Sequence, residues 1–334
     1  MYNPITSLLR QATRTQNEPL NILTFCTHER YETGLAMTGH NFYAYRAEGI
    51  KDWTMDYAPI PDNYTLLDPR LKQNQIPNYV EFDLILSQNK FGQFQVAYPL
   101  AQQMQLPLVS LEHTLPMPQW SPQIREQLGN MRGKVNVFIS EYSLGRWNWS
   151  AGYSDTTVIH HMVDTDLFTP IDPTHTRKSH ILSVVNDWVN RDWCCNFKGW
   201  QRITKGLPVR VVGDTPGLSK PAPTIEALVN EYQQSLIFIN TSTISPVPTA
   251  LLEAMACGCA CVSTATCMIP EVIQNGVNGI ISNNEQELRS ACEKLLKDPD
   301  WAAQLGRAAV ETIRTKFNKE RFISEWDEVF RSVL

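Results

Sequence analysis

The sequence lacks any apolar run of the ~18 residues that would span a bilayer. Its opening stretch, Met1 to Pro19, is polar and mixed, without the apolar core of a secretory leader. The expectation is a cytoplasmic chain with no integral membrane association. A whole-molecule basic field is also missing: 29 Lys and Arg stand against 34 Asp and Glu, a net charge of −5. That argues against tight nonspecific binding of nucleic acid, while leaving room for a local basic groove. Internal repeats, low-complexity tracts and a second spaced Cys/His pair are absent, so neither a solenoid nor a zinc site is expected. The eight cysteines are too few for a disulfide scaffold in 334 residues. Three of them, Cys257, Cys259 and Cys261, alternate along an apolar run and read as small hydrophobes on one face of a strand.

What is present is a globular composition, 43% hydrophobic and 19% charged. Apolar runs of strand length recur between helical stretches. Leu20–Cys26, Asn41–Tyr45, Phe82–Ser87, Leu106–Leu111, Val135–Ser140 and Asp155–His160 form a first series. Ile181–Val185, Val209–Gly213, Leu236–Asn240, Ala260–Ser263 and Gly279–Ile281 form a second. Such alternation predicts parallel sheets covered by helices on both faces. The fold class expected is therefore α/β, as two doubly wound domains with the site in the cleft between them. The join is expected near Asp164 to Lys178, a polar stretch that holds Pro170 and Pro173. The domain limits assigned are 1–165, 166–317, and a last helix, 318–334, crossing back to the first domain. The aromatic residues of that helix, Trp326 and Phe330, read as core anchors.

Four constellations carry candidate chemistry. In Ser245-Pro246-Val247-Pro248-Thr249-Ala250-Leu251-Leu252-Glu253 a strand gives way to a proline-containing loop and then to a helix opening near Thr249. Unpaired amides at that opening, those of Thr249, Ala250 and Leu251 after Pro248, suit a diphosphate. Glu253, one turn inside, suits two ribose hydroxyls. A first-turn glutamate favoured by the helix dipole is the structural alternative, and the residues alone leave both open. Second, Asn186 and Arg191 follow the strand Ile181–Val185, where a cation can neutralise phosphate charge; Lys198 and Lys205 are further candidates. Third, His113 ends a strand in Glu112-His113-Thr114 and can bind a hydroxyl or move a proton. Fourth, the loop Thr27 to Gly34, with His28, Glu29 and Arg30, borders the expected cleft and is assigned to the acceptor. It is not glycine-rich, so no dinucleotide fingerprint is expected there. No residue set is assigned to a metal.

Together these segments resemble the retaining GT-B glycosyltransferases of the large group 1 (family 4-like) superfamily. Ala250-Leu251-Leu252-Glu253-Ala254-Met255-Ala256-Cys257-Gly258 matches the donor-site helix of that family, and Ile269-Pro270-Glu271 to Gly279 the segment after it. Val158 to Pro170 is similar to its interdomain segment, with Met162 in place of a glycine. The chain departs from the pattern at several positions. The first of the family's two glutamates falls on Ser245, with Glu253 as the second. The phosphate-binding Arg and Lys fall on Asn186 and Arg191, and the glycine pair before Pro-Glu falls on Cys267 and Met268. The strand-end histidine of the family falls on His113. The resemblance implies a short, divergent branch, similar to those carried by phages and large viruses, which would place it in the host cytoplasm.

The function implied is transfer of a sugar from a UDP- or GDP-sugar to a hydroxyl acceptor, a glycan or another molecule, with retention. It implies no metal and no cofactor beyond the nucleotide-sugar substrate, with His113, Arg191 and Ser245 at the reacting centre. Two other functions compete. One is glycosylation of a hydroxymethylated base in DNA, for which Arg125, Arg132, Lys134 and Arg146 with Trp120, Trp147 and Trp149 would form a basic aromatic face. The other is a sugar-nucleotide-binding protein that has lost catalysis, motivated by Ser245.

Overall fold

The computed structural model describes residues 13, 15, 17–46, 49, 52–55, 57–71, 73–149, 155–172 and 175–334. The chain divides into two compact units, Met1–His160 with Glu320–Leu334, and His161–Lys319. Pro173, in the segment expected to join two domains, lies outside the described residues.

The first unit is built on β1 (Asn21–Thr24), α1 (Glu29–Ala36), β2 (Asn41–Tyr45), β3 (Tyr64–Leu67), β4 (Leu84–Ser87) and α2 (Gln93–Met104). It continues through β5 (Leu108–Glu112), α3 (Pro122–Gly129), β6 (Val135–Phe138), α4 (Glu141–Arg146) and β7 (Thr156–Val158). The strands pair in parallel in the order β3-β2-β1-β4-β5-β6-β7. β1 and β4 are buried at every residue, as a parallel strand covered on both faces requires. From β1 the chain winds outward through β2 to β3, then returns to β4 on the other side of β1. The winding direction therefore reverses between β1 and β4, and the crevice beyond their carboxyl ends is where ligands of open α/β sheets bind.

The second unit contains β8 (Lys178–Val184), α5 (Asp192–Cys195), α6 (Phe197–Thr204), β9 (Val209–Val212), α7 (Ile225–Gln234), β10 (Ser235–Asn240) and α8 (Thr249–Ala256). β11 (Ala260–Ser263), α9 (Ile269–Val272), β12 (Ile280–Ile281), α10 (Glu285–Lys297) and α11 (Pro299–Lys316) complete it. Its strands are parallel in the order β12-β11-β10-β8-β9, so here the reversal lies between β8 and β10. The helix boundaries have local causes. Asn284 caps α10 by accepting from the amides of Gln286 and Glu287, and Asp298 caps α11 by accepting from that of Trp301, with Pro299 in its first turn.

α12 (Lys319–Ser332) follows, and its residues from Glu320 on belong to the first unit. Phe322, Trp326 and Phe330 are fully buried there. Phe322 meets Tyr31 edge-on at 5.4 Å, Trp326 donates its indole N–H to the Tyr31 hydroxyl at 3.2 Å, and Phe330 packs on His40 and Phe42. Asp327 Oδ1 lies 3.0 Å from His40 Nε2.

Three local expectations need correction. α1 begins at Glu29, not near Gly34, so Glu29 and Arg30 sit in a helical turn rather than a loop. No glycine or proline interrupts the stretch from His28 to Thr33, and Glu29 and Glu32 are placed where the helix dipole favours acids. Cys257 closes α8 as its C-cap and is not on a strand; only Cys261 of the alternating three lies on β11. All eight cysteines are nonetheless buried. β3 was not expected from the sequence: Tyr64-Thr65-Leu66-Leu67 is a four-residue edge strand with no alternation to announce it.

Candidate functional site

At the reversal of the second unit, two loops leave neighbouring strands. The first runs from Val185 to Arg191 after β8, the second from Thr241 to Pro248 after β10. Hydrogen bonds join the second to α5, the helical turn that continues the first. The carbonyl of Cys194 accepts from the amides of Thr243 at 2.8 Å and Ile244 at 3.2 Å, and that of Cys195 accepts from the Thr241 hydroxyl at 3.0 Å. Arg191 is the N-cap residue of α5, so the segment carrying its guanidinium is tied directly to the loop that leads into α8. A third loop, after β11, braces the second: the hydroxyls of Thr264 and Thr266 donate to the carbonyl of Ser242 at 2.5 and 2.7 Å. Cys267, where a glycine was expected from the resemblance, holds a left-handed backbone with φ of 52°.

α8 opens after Pro248, which restricts the approach and provides no side-chain cap. The amides of Leu251 and Leu252 both turn back to the Pro248 carbonyl, at 2.9 and 3.3 Å. Those of Thr249 and Ala250 precede the first helical bond and are the pair that points out of the helix end. The expectation for Leu251 therefore needs correction, since its amide is spent and its side chain is buried in the core. Thr249, Ala250, Pro248 and Ser245 are half-buried. Glu253 is 5% exposed and accepts the hydroxyl of the fully buried Tyr232 at 2.8 Å, a bond that fixes one carboxylate oxygen.

Arg191 is exposed, and its guanidinium reaches the carbonyl of Asn186 at 3.4 Å. Asn186 does not face a ligand with its carbonyl oxygen Oδ1, which accepts from the amide of Asp214 at 2.8 Å and pins the β8 loop to the end of β9. That close approach needs Gly213: its φ is +123°, and a Cβ there would lie 2.1 Å from the Val185 carbonyl oxygen. Lys198 sits in the first turn of α6 with its ammonium 3.7 Å from the Asp192 carboxylate. Of the candidate cations, Arg191 is the one that caps α5, the turn bonded to the approach of α8. Lys205 is exposed at the far end of α6.

The reversal of the first unit holds a buried polar network. Glu32, in α1, is fully buried. Its Oε1 accepts from the amide and hydroxyl of Thr27 at 3.0 and 2.9 Å and from Gln88 Nε2 at 2.8 Å, and its Oε2 meets the Tyr64 hydroxyl at 3.0 Å. Burial pushes the Glu32 carboxyl up to about 7 against the opposing pull of these hydrogen bonds. Gln88 follows β4, Thr27 follows β1, and their contact bridges the crevice between those strands. Gln88 Oε1 lies 3.2 Å from His113 Nε2, at the end of β5. His113 is half-buried and packs edge-on against Tyr31, with ring centroids 4.5 Å apart. Burial, then the neighbouring imidazole of His28, pull its pKa down to about 3, so the ring is neutral at physiological pH. Glu112, next to it, is buried and takes the amides of Lys90 and Thr114 at 2.8 and 2.7 Å, which locks the β4 and β5 loops together.

The three residues assigned to the acceptor separate here. His28 is exposed at the N-cap of α1, and Arg30 is half-buried. Glu29 is fully buried with its carboxylate on the amide of Thr54 at 2.8 Å, so it secures the 52–55 segment and is not presented to a ligand. Sequence reasoning missed Glu32, Gln88 and Tyr64. Tyr64 and Gln88 lie 32 and 56 positions from Glu32, beyond the reach of any local pattern.

The basic aromatic face fares differently. Trp147 and Trp149 are buried in a cluster with Leu128, Phe138 and Leu144, and donate their indole N–H groups to the carbonyls of Thr114 and Gly129. Arg125 binds the carbonyl of Pro118, Lys134 that of Val333, and Arg132 lies 3.7 Å from the centre of the Trp149 ring. Rings spent in the core offer no stacking surface to a base.

Among the described residues, no helix is long and apolar enough to cross a membrane. The glycosyl transferases group 1 family matches residues 222–312, which contain α7 through most of α11 and the whole of α8. Over 86 residues the chain is 35% identical to the N-acetyl-alpha-D-glucosaminyl L-malate synthase of Bacillus anthracis, covering 25% of this chain and 23% of that protein. The chain thus matches about a quarter of the length of that relative. Whole-chain likeness appears in solved structures. The sucrose-phosphate synthase (tll1590) of Thermosynechococcus elongatus superposes with a TM-score of 0.72 at 15% identity, over 94% of this chain and 98% of that one. Anabaena Alr3699/HepE in complex with UDP and glucose does so with 0.73 at 14% identity, over 94% and 100%. The chain has the two-unit α/β fold of the GT-B glycosyltransferases, and its residues 222–312 match the glycosyl transferases group 1 family.

Proposed function

We propose that the protein transfers a sugar from a nucleotide-diphosphate sugar to a hydroxyl acceptor. The observation that carries this reading is the junction in the second unit. Arg191 leads into α5, which is hydrogen-bonded to the loop entering α8, and in this reading its guanidinium and the two outward amides of Thr249 and Ala250 would form one anion-binding corner at the point of strand reversal. A diphosphate placed there would have its charge met by amides and Arg191, without calling on a metal. Glu253, oriented by Tyr232, would take the ribose hydroxyls. The match of residues 222–312 to a glycosyltransferase family and the UDP and glucose held by a structural neighbour support this assignment. A UDP-sugar is the donor proposed first and a GDP-sugar second. Retention of configuration is part of the proposal through the family alone.

Isothermal calorimetry with UDP, GDP and their glucose conjugates tests it. One nucleotide is expected to bind with micromolar affinity. Arg191→Ala and Glu253→Ala should each weaken it at least tenfold while unfolding as the wild type does, each tenfold step being about 1.4 kcal/mol. Undiminished binding in both folded variants would refute the site.

A further inference from the structure

The hydrogen-bond chain in the first unit decides a proton position. A neutral imidazole carries one proton on one of two nitrogens, and the partner of one nitrogen determines the role of the other. His113 Nε2 faces Gln88 Oε1 or its amide nitrogen, depending on how the Gln88 side chain is turned. The far end of Gln88 settles this. It meets the carbonyl of Phe25 at 3.2 Å, the Glu32 carboxylate at 2.8 Å and the Thr24 hydroxyl at 3.1 Å. The Phe25 carbonyl only accepts, as does Glu32 when ionised, so the NH2 group of Gln88 must occupy that corner. Its oxygen then faces His113, whose Nε2 must bear the proton, and Nδ1 is left as the lone-pair nitrogen. Glu32 itself is surrounded by donors: the Thr27 amide, the Thr27 hydroxyl, the Gln88 NH2 and the Tyr64 hydroxyl.

We propose that Glu32 is a positioning residue that acts through Gln88 to hold His113 in its Nε2–H tautomer. Glu32 orients the Gln88 amide, and the amide selects the nitrogen of His113 that carries hydrogen. The tautomer stands independently of the transferase reading above. A purely structural Glu32 would stabilise α1 and leave the ring proton where other contacts put it.

Long-range 1H–15N correlation spectra of the full chain read the tautomer without substrate. His113→Phe identifies the signal among the seven histidines. The wild type is expected to show a protonated Nε2 and a bare Nδ1. Tyr64→Phe, which leaves the link from Glu32 Oε1 to Gln88 intact, should keep that pattern. Glu32→Gln, whose own amide can turn either way, and Gln88→Leu should both shift the ring toward a mixture of tautomers. A wild-type ring protonated on Nδ1 overturns the proposal, as does a wild-type-like His113 spectrum in Gln88→Leu. An unchanged spectrum in a folded Glu32→Gln removes Glu32 from it. If Glu32→Gln does not fold, the wild type and Gln88→Leu still decide. Absence of nucleotide binding would sink the transferase reading while leaving these spectra to be judged by themselves.

Discussion

At the scale of single residues, the protein keeps an acid buried where its charge is costly. Glu32 carries an ordinary value of 4.5 when unfolded and about 7 in the fold, with burial as the main cause. The sign follows from proton counting. Between those values the folded chain binds more protons than the unfolded one, so stability falls as pH rises through the window. The contribution is fully present below about 4.5, and roughly 3 kcal/mol of it is gone above about 7. Glu32→Gln removes the titration. Denaturant unfolding at a series of pH values should therefore show a flatter slope for the variant between pH 4.5 and 7, and a wild type that loses ground to it as pH rises. Parallel pH profiles would mean that Glu32 does not titrate in this window. His113 works in the opposite sense: its value is pulled down to about 3, so the fold resists its protonation and the ring stays a neutral partner for Gln88.

At the scale of elements, α11 lies against the end of α8 through a glycine. Gly306 is buried mid-helix, and a Cβ there would sit 2.2 Å from the Gly258 carbonyl oxygen. Helix propensity alone favours alanine over glycine by about 1 kcal/mol. Here the backbone of the α8 terminus stands in the way, and a backbone atom cannot rotate aside as a side chain can. Gly306→Ala should therefore destabilise the second unit by about 1–3 kcal/mol, the range for overpacking, seen as a lower midpoint in urea. A variant as stable as the wild type or more so would show that the two helices separate without cost.

The elements that position the site also show what was legible beforehand. Strands 41–45 and 260–263 were read to the residue, and so was the opening of α8 at Thr249, because each announces itself locally: β-branched or aromatic runs and a proline-bounded start. The contact of α5 with the loop leading into α8 was reachable through strand order, since the segments after β8 and β10 adjoin in a doubly wound sheet. The α1 start was misplaced because His28 offers no capping side chain to mark it. The Glu32–Gln88–His113 network was illegible. Its members come from three loops and helices that the sheet gathers, and glutamate, glutamine and tyrosine at those positions look like ordinary surface residues.

At the scale of the whole molecule, the first unit is built from two stretches far apart in sequence. The last fifteen residues, Glu320–Leu334, belong to the first unit. They supply Phe322, Trp326 and Phe330, all 0% exposed, to a cluster with Tyr31, His40 and Phe42. The second unit, His161–Lys319, has its residues contiguous in sequence. The stabilities of the two should separate accordingly. Trp326→Ala in the full chain removes a buried ring and its bond to Tyr31, a change that typically costs 3–5 kcal/mol. For a unit of this size, the loss should lower its thermal midpoint by roughly 10 °C. Scanning calorimetry with UDP present should show this shift in the first unit's transition. The transition raised by the nucleotide, assigned to the second unit, should stay where it is, because binding stabilises only the fold that holds the ligand. A single transition shifting as one would instead show that the two units melt together, and that the tail stabilises both.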